Sequence, residues 1–249
     1  MNDELARAYA FLDRADMAGE RALPSPVGTA VYHDGLPRRL DSNFLRVERE
    51  ADSKVIRDEA ERLGRRMIFV PDPELGERLV PNFRERHWRI NRVVVMAQRR
   101  QPERAGNPDL VREVREEDLR PARTRLNAGH PWGKPEVLEQ LFAGKHWIAD
   151  HVEARFFAVV ADGEIASYTD LYQEGPDAQV EDVGTLPEHR GRGYASAVVL
   201  AAIAAAREHG AEFVFLVADK EDWPKELYRR LGFDELGYYV KFVSPELAG

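Results

Sequence analysis

Apolar residues recur along this chain with two periods, one close to 2 and one close to 3.6, and the two alternate so as to predict a mixed α/β protein. Short apolar or alternating runs predict strands at 43–48 (NFLRVE), 67–70 (MIFV), 92–97 (RVVVMA), 110–114, 156–161, 165–172, 180–186 and 213–217, with two closing strands at 233–238 and 239–242. Helical spacing predicts helices over 1–19, 53–63, 74–79, 116–126, 135–142 and 195–209, and a last one after Trp223. Asp162-Gly163 is a turn signal that folds 156–161 and 165–172 into a hairpin. The stretch Arg99 to Pro108 is polar and lacks periodicity, so a linker is expected there. It separates an N-terminal α/β domain (1–106) from a second domain (107–249).

Composition narrows the chemistry. The 249 residues include no cysteine, which excludes disulfides, thiolate metal sites and an acyl-cysteine intermediate. The seven histidines show no HExxH or other paired ligand spacing, so no metal is expected. No apolar run approaches the roughly 20 residues that span a bilayer, and residues 1–19 lack the apolar core of a signal peptide; a cytoplasmic protein is expected. The net charge of -8 is uneven: 20 Lys/Arg against 18 Asp/Glu before Asn107, and 16 against 26 from there on. With no basic face visible, nucleic acid is not an expected partner.

The most informative segment is Leu186-Pro187-Glu188-His189-Arg190-Gly191-Arg192-Gly193-Tyr194-Ala195, where the strand at 180–186 hands over to the Ala-rich helix. A helix N-terminus presents unpaired N–H groups and the positive end of its dipole, which suits an anionic phosphate. Gly191 and Gly193 let backbone amides turn inward, and Arg190 and Arg192 add positive charge. The segment matches neither GxxxxGK[ST] nor GxGxxG.

It does match R-x-x-G-x-A at Arg190, Gly193 and Ala195, and here the chain resembles the GCN5-related N-acetyltransferase (GNAT) superfamily, whose acyl-CoA loop has the form Q/R-x-x-G-x-G/A. A second block, Leu227-Tyr228-Arg229-Arg230-Leu231-Gly232-Phe233, fits the LYxxxGF pattern that commonly ends the family's last helix. The resemblance covers 110–243. It implies a GNAT fold, with a mixed, mostly antiparallel sheet flanked by helices. The β-α-β-α-β order at 43–97 is read as a second, degenerate GNAT-like lobe, with acids and no glycine at Glu50-Ala51-Asp52-Ser53 where phosphate would bind.

The resemblance implies acetyl transfer from acetyl-CoA to a primary amine of a small molecule or peptide, by direct attack in a ternary complex. An aliphatic amine with a pKa near 10.4 is about one part in a thousand neutral at pH 7, so a base must take its proton. Glu181 stands where the family often has that glutamate, with Asp182 the lesser substitute, and strand alternation would put Glu181, Val183 and Thr185 on one face and Asp182, Gly184 and Leu186 on the other. Tyr228 is the expected acid for the departing thiolate. Val183, Gly184, Thr185, Arg190, Gly191, Arg192, Gly193, Tyr194 and Ala195 are the expected cofactor contacts, Gly184 suiting a bulge or a close backbone approach to the ligand. His130, Trp132, Asp170 and Tyr172 are weaker candidates for the acceptor site. One departure stands out: Glu221 occupies the position seven residues before the tyrosine where the family often has Asn. A homodimer is an expectation carried over from relatives. The alternative is a GNAT fold that binds or senses an acyl-CoA or small molecule without turning it over.

Overall fold

The computed structural model describes residues 3–15, 17–103 and 106–245. Of the helix expected over 1–19, residues 1, 2 and 16 lie outside the described residues, as do Arg104 and Ala105 of the expected linker; the helix stops at Arg14, short of the expected end at Gly19, and residues 17–19 are not helical.

The N-terminal part runs α1 (Asp3–Arg14), β1 (Arg21–Ser25), β2 (Gly28–Tyr32), β3 (Phe44–Val47), α2 (Ser53–Arg62), β4 (Met67–Val70), α3 (Pro73–Glu85) and β5 (Arg89–Gln98). Two of its helices begin where the sequence supplies caps. The Asp52 side chain accepts from Lys54 N at 2.7 Å, and Asp72 accepts from Glu74 N at 2.9 Å with Pro73 filling the first helical position. The remainder runs β6 (Val111–Val114), α4 (Glu116–Asn127), α5 (Pro135–Ala149), β7 (Glu153–Ala161), β8 (Glu164–Glu174), β9 (Asp177–Thr185), α6 (Tyr194–Glu208), β10 (Phe213–Asp219), α7 (Pro224–Arg230) and β11 (Phe233–Val243).

All the strands form one 11-stranded sheet in the order β1-β2-β3-β4-β11-β5-β10-β9-β8-β7-β6. Among the described residues, only β3–β4 and β9–β10 are parallel pairs. The two ends of the chain exchange strands at the centre: β5 lies between β10 and β11, and β11 lies between β4 and β5. The pair of closing strands expected at 233–242 is therefore one long strand. A bulge between Glu235 and Gly237 lets it run on without a turn, and its ladder partners come from the N-terminal part.

Apolar clusters hold the sheet against its helices. On one face, Val199, Ala202 and Ile203 of α6 pack against Leu171, Val180, Val214 and Leu216. Ile56, Leu79 and Phe83 of α2 and α3 pack against Leu45, Ile68, Val240 and Phe242. In a third cluster, Ala8, Phe11 and Leu12 of α1 cover Phe44, Phe69, Phe215 and Tyr239, so α1 joins strands from both ends of the chain. The segment before β3 also braces α5: Arg38 N donates to Gln140 Oε1 at 2.6 Å, and His33 meets Trp147 edge-on at 5.1 Å.

Candidate active site

The parallel ladder between β9 and β10 consists of Asp177–Phe213, Ala178–Val214 and Gln179–Phe215, and there it stops. Beyond Gln179, β9 continues to Thr185 paired only with β8, while β10 turns its register to β5. The two strands part, and a cavity of about 1120 Å³ lies along the freed end of β9. It is lined by Val183, Gly184 and Thr185, by the loop Arg190 to Ala195, by Leu227 and Tyr228 of α7, and by Asp182, Tyr168 and His130.

The glycine loop has the form its residues demand. Gly191 has φ of +75° and Gly193 of +80°, a left-handed conformation that side chains with a Cβ adopt at a cost. A Cβ on either would point into open space, so backbone conformation rather than crowding requires glycine. Gly193 is the N-cap of the 15-residue α6, whose first residues line the cavity together with Arg190, Arg192 and Arg230. Cations and a helix N-terminus suit a pyrophosphate. Arg190 Nε donates to the Thr185 carbonyl at 3.3 Å, fixing the loop to the end of β9.

At the other end of the gap, β9 departs from simple alternation. Asp170 is paired with Glu181 and Tyr168 with Gly184, so two residues, Asp182 and Val183, oppose one on β8. This is a β-bulge, and Asp182 sits in it at φ +50°. Directly paired residues share a face, so Glu181 and Gly184 lie on the same face rather than on opposite ones. The bulge is at Asp182-Val183, not at Gly184. Gly184 is required by a close approach of protein rather than ligand, since a Cβ there would lie 2.4 Å from Cζ and 2.6 Å from the hydroxyl of Tyr168.

The bulge turns Asp182 into a buried charge cluster. Arg123, whose side chain is 2 % exposed, donates to Asp182 Oδ2 at 2.9 Å, to Glu116 Oε1 at 2.7 Å and to Asp170. Lys145 Nζ lies 2.9 Å from Asp170 Oδ2 and 3.5 Å from Asp182 Oδ2. Burial pushes the Asp182 carboxyl above its ordinary value, with Asp170 adding to the effect and Lys145 and Arg123 opposing it. Burial also works against charge on Lys145, but the carboxylates outweigh it and hold the ammonium well above the usual lysine value.

Tyr228 lines the cavity and is 7 % exposed. Burial, reinforced by the charges of Glu181 and Asp182, pushes its phenol well above the ordinary value, so the hydroxyl is protonated at neutral pH. Glu181 is near enough to act on Tyr228, although its side chain is not part of the cavity lining; Gln179 Nε2 donates to its Oε2 at 3.0 Å.

His130 lines the cavity from the α4–α5 connection, and Trp132 stacks on it with ring centroids 4.9 Å apart and planes at 5°. Asp170 and Tyr172 are fully buried and hydrogen-bonded to each other at 2.8 Å, and neither lines the cavity. The sequence reading missed Arg123 and Lys145, which lie on helices far along the chain from Asp170 and Asp182. Glu221 is turned to Arg92 of β5, at 2.7 Å, and does not line the cavity. The ligand atoms of Glu164, Glu188 and His189 lie within 4.8 Å of one another, but both carboxylates are already paired with Arg125.

Comparison with known proteins agrees with this geometry. The model of the acetyltransferase (GNAT) family matches residues 112–233. No curated protein matches the chain. Among solved structures, a functionally unknown conserved protein from Staphylococcus epidermidis is 13% identical and superposes with a TM-score of 0.67 over 92% of this chain and 94% of that one. A GCN5-related N-acetyltransferase from Kribbella flavida is 17% identical, with a TM-score of 0.62 over 98% of this chain and 96% of that one. A tandem GNAT protein from the clavulanic acid biosynthesis pathway is 15% identical, with a TM-score of 0.56 over 91% and 84%. At these identities the likeness is one of fold, and it extends over both halves of the chain. Residues 112–233 are a domain of the GNAT acetyltransferase family.

Proposed function

We propose that this protein is an N-acetyltransferase that moves an acetyl group from acetyl-CoA to a primary amine of a small molecule or peptide, with both substrates bound together. The observation that carries the reading is the continuity of one cavity from the glycine loop at the α6 N-terminus to Tyr228, along the splayed edge of β9. A diphosphate at one end and a thioester at the other fit a donor of that length and polarity. The loop's amides and Arg190, Arg192 and Arg230 would hold the diphosphate, and the free edge of Val183, Gly184 and Thr185 would hold the pantetheine arm.

In this reading, the amine nitrogen attacks the thioester carbon, the carbon–sulfur bond breaks, and the thiolate takes the Tyr228 proton. Glu181 accepts the proton that the amine loses, through water, and solvent restores both groups. Asp182 is engaged by Arg123 and Lys145, which favours Glu181 as the acceptor of that proton. The 1–106 segment is proposed as a degenerate GNAT-like lobe that lost its cofactor loop; it braces α5 beside the site. Tyr228→Phe keeps the ring and removes the acid. The expected result is unchanged acetyl-CoA binding with turnover down by roughly 10- to 1000-fold. Full turnover in that variant would remove Tyr228 from the mechanism.

A further inference from the structure

A second tyrosine in the cavity has no role in that scheme. Tyr168, on β8, is 2 % exposed, lines the cavity, and makes no hydrogen bond through its hydroxyl to the described residues. The hydroxyl is not a buried unpaired polar atom; it is the accessible polar end of an otherwise enclosed side chain, available to a ligand in the cavity. The hydroxyl lies against Gly184 at the spot a Cβ would fill, 2.6 Å from that ideal atom, on the backbone that flanks the thioester in the reading above.

The rest of the side chain is fixed. The ring packs with Leu119, Ala122 and Phe156, and the Arg123 guanidinium sits 5.5 Å from its centroid. Burial, and then the Asp182 carboxylate, raise the phenol well above its ordinary value, so it remains a proton donor throughout the neutral range. A rigid donor that needs no reorganisation is the arrangement that stabilises charge developing in a transition state.

Resting on the acyl-transfer reading, we propose that the Tyr168 hydroxyl is an oxyanion donor, holding the thioester oxygen as the carbonyl carbon becomes tetrahedral. When the amine nitrogen bonds to the carbon, the carbonyl π pair moves onto oxygen, and Tyr168 donates a hydrogen bond to it without giving up its proton. Collapse returns the pair and expels the thiolate, which Tyr228 protonates. The two tyrosines thus divide oxygen and sulfur between them. This arrangement also accounts for Gly184: any larger residue would push the ring, and the hydroxyl with it, off the reacting atoms.

The test compares the unaltered protein with Tyr168→Phe, Gly184→Ala and the double variant. Calorimetry measures acetyl-CoA binding, and CoA release is followed with hydroxylamine at pH 8, an amine already neutral there and small enough to need no acceptor pocket. Tyr168→Phe should bind acetyl-CoA within about 2-fold and melt as before, while CoA release falls roughly 100-fold, the scale of one lost oxyanion donor. The double variant should be no slower than the slower single one, because both changes remove the same contact. Release by Tyr168→Phe within 2-fold of the unaltered protein, with binding intact, overturns the assignment and leaves acyl transfer standing. An unaltered protein that does not bind acetyl-CoA, or that binds it without accelerating release, overturns the acyl-transfer reading and the assignment together.

Discussion

Arg123 Nε donates to Asp182 Oδ2 at 2.9 Å, tying α4 to a strand residue held in a left-handed conformation at φ +50°. The bond joins the wall of the cavity to its most irregular point. It also gathers three carboxylates, those of Glu116, Asp170 and Asp182, on one guanidinium that is 2 % exposed, with Lys145 shared between the last two.

Removing that guanidinium strands buried negative charge. Arg123→Met keeps most of the side-chain volume and should cost about 3 to 5 kcal/mol, the range for breaking a buried ion pair from one side. Urea unfolding measures it. A loss below about 1 kcal/mol would mean that the carboxylates are rehydrated or protonated without difficulty, and that the cluster does not hold the bulge.

The buried phenols set the alkaline limit. Burial raises both Tyr168 and Tyr228 above the ordinary value of 10.0 in the folded protein, whereas the unfolded chain ionises near that value. Their contribution to stability is therefore complete below about pH 10 and is lost as pH rises from there towards the folded values. Chemical unfolding at a series of pH values should show that loss beginning near pH 10, and Tyr168→Phe with Tyr228→Phe should weaken it. If Tyr228 is the acid for sulfur, its titration should impose no fall in turnover below about pH 10.

The exchanged strands tie the two halves together. A fragment of 107–249 lacks β5, the partner of both β10 and β11, and also lacks β4 on the far side of β11. Central strands left with unpaired edges and uncovered apolar faces do not make a stable sheet. Expressed alone, the fragment should show no cooperative thermal transition, and co-expression with 1–106 should restore one. An isolated fragment that melts cooperatively would show that the strand exchange is dispensable.

Features set by local backbone chemistry were legible in the sequence. Gly191 and Gly193 between a strand and an Ala-rich helix, and Pro224 with Gly232 at the two ends of α7, announce their conformations residue by residue. Pairings between distant segments were not. The hairpin of β1 and β2 escaped notice because Pro24 weakens the strand signal; a proline is tolerated there because β1 is the sheet edge. The segment 233–243 reads as two strands because nothing local reveals that β5 will supply its ladder. The same limit applied at the site. Simple alternation misplaced Gly184 relative to Glu181, since a bulge inserts one residue between them, and the partners of that bulge's Asp182, Arg123 and Lys145, lie more than 30 residues away.

The most direct measurement is a thermal-shift titration with acetyl-CoA, CoA and, as a polyphosphate control, ATP, on the unaltered protein and on Gly193→Val. A ligand at 100 times its dissociation constant stabilises by about 2.7 kcal/mol, which for a chain of this size is a rise of roughly 5 to 10 °C. That rise is expected with both CoA forms, little or none with ATP, and it should be lost in Gly193→Val, whose left-handed backbone a β-branched residue holds only under strain. No rise with either CoA form, or an equal rise with ATP, would contradict the claim that this cavity is an acyl-CoA site.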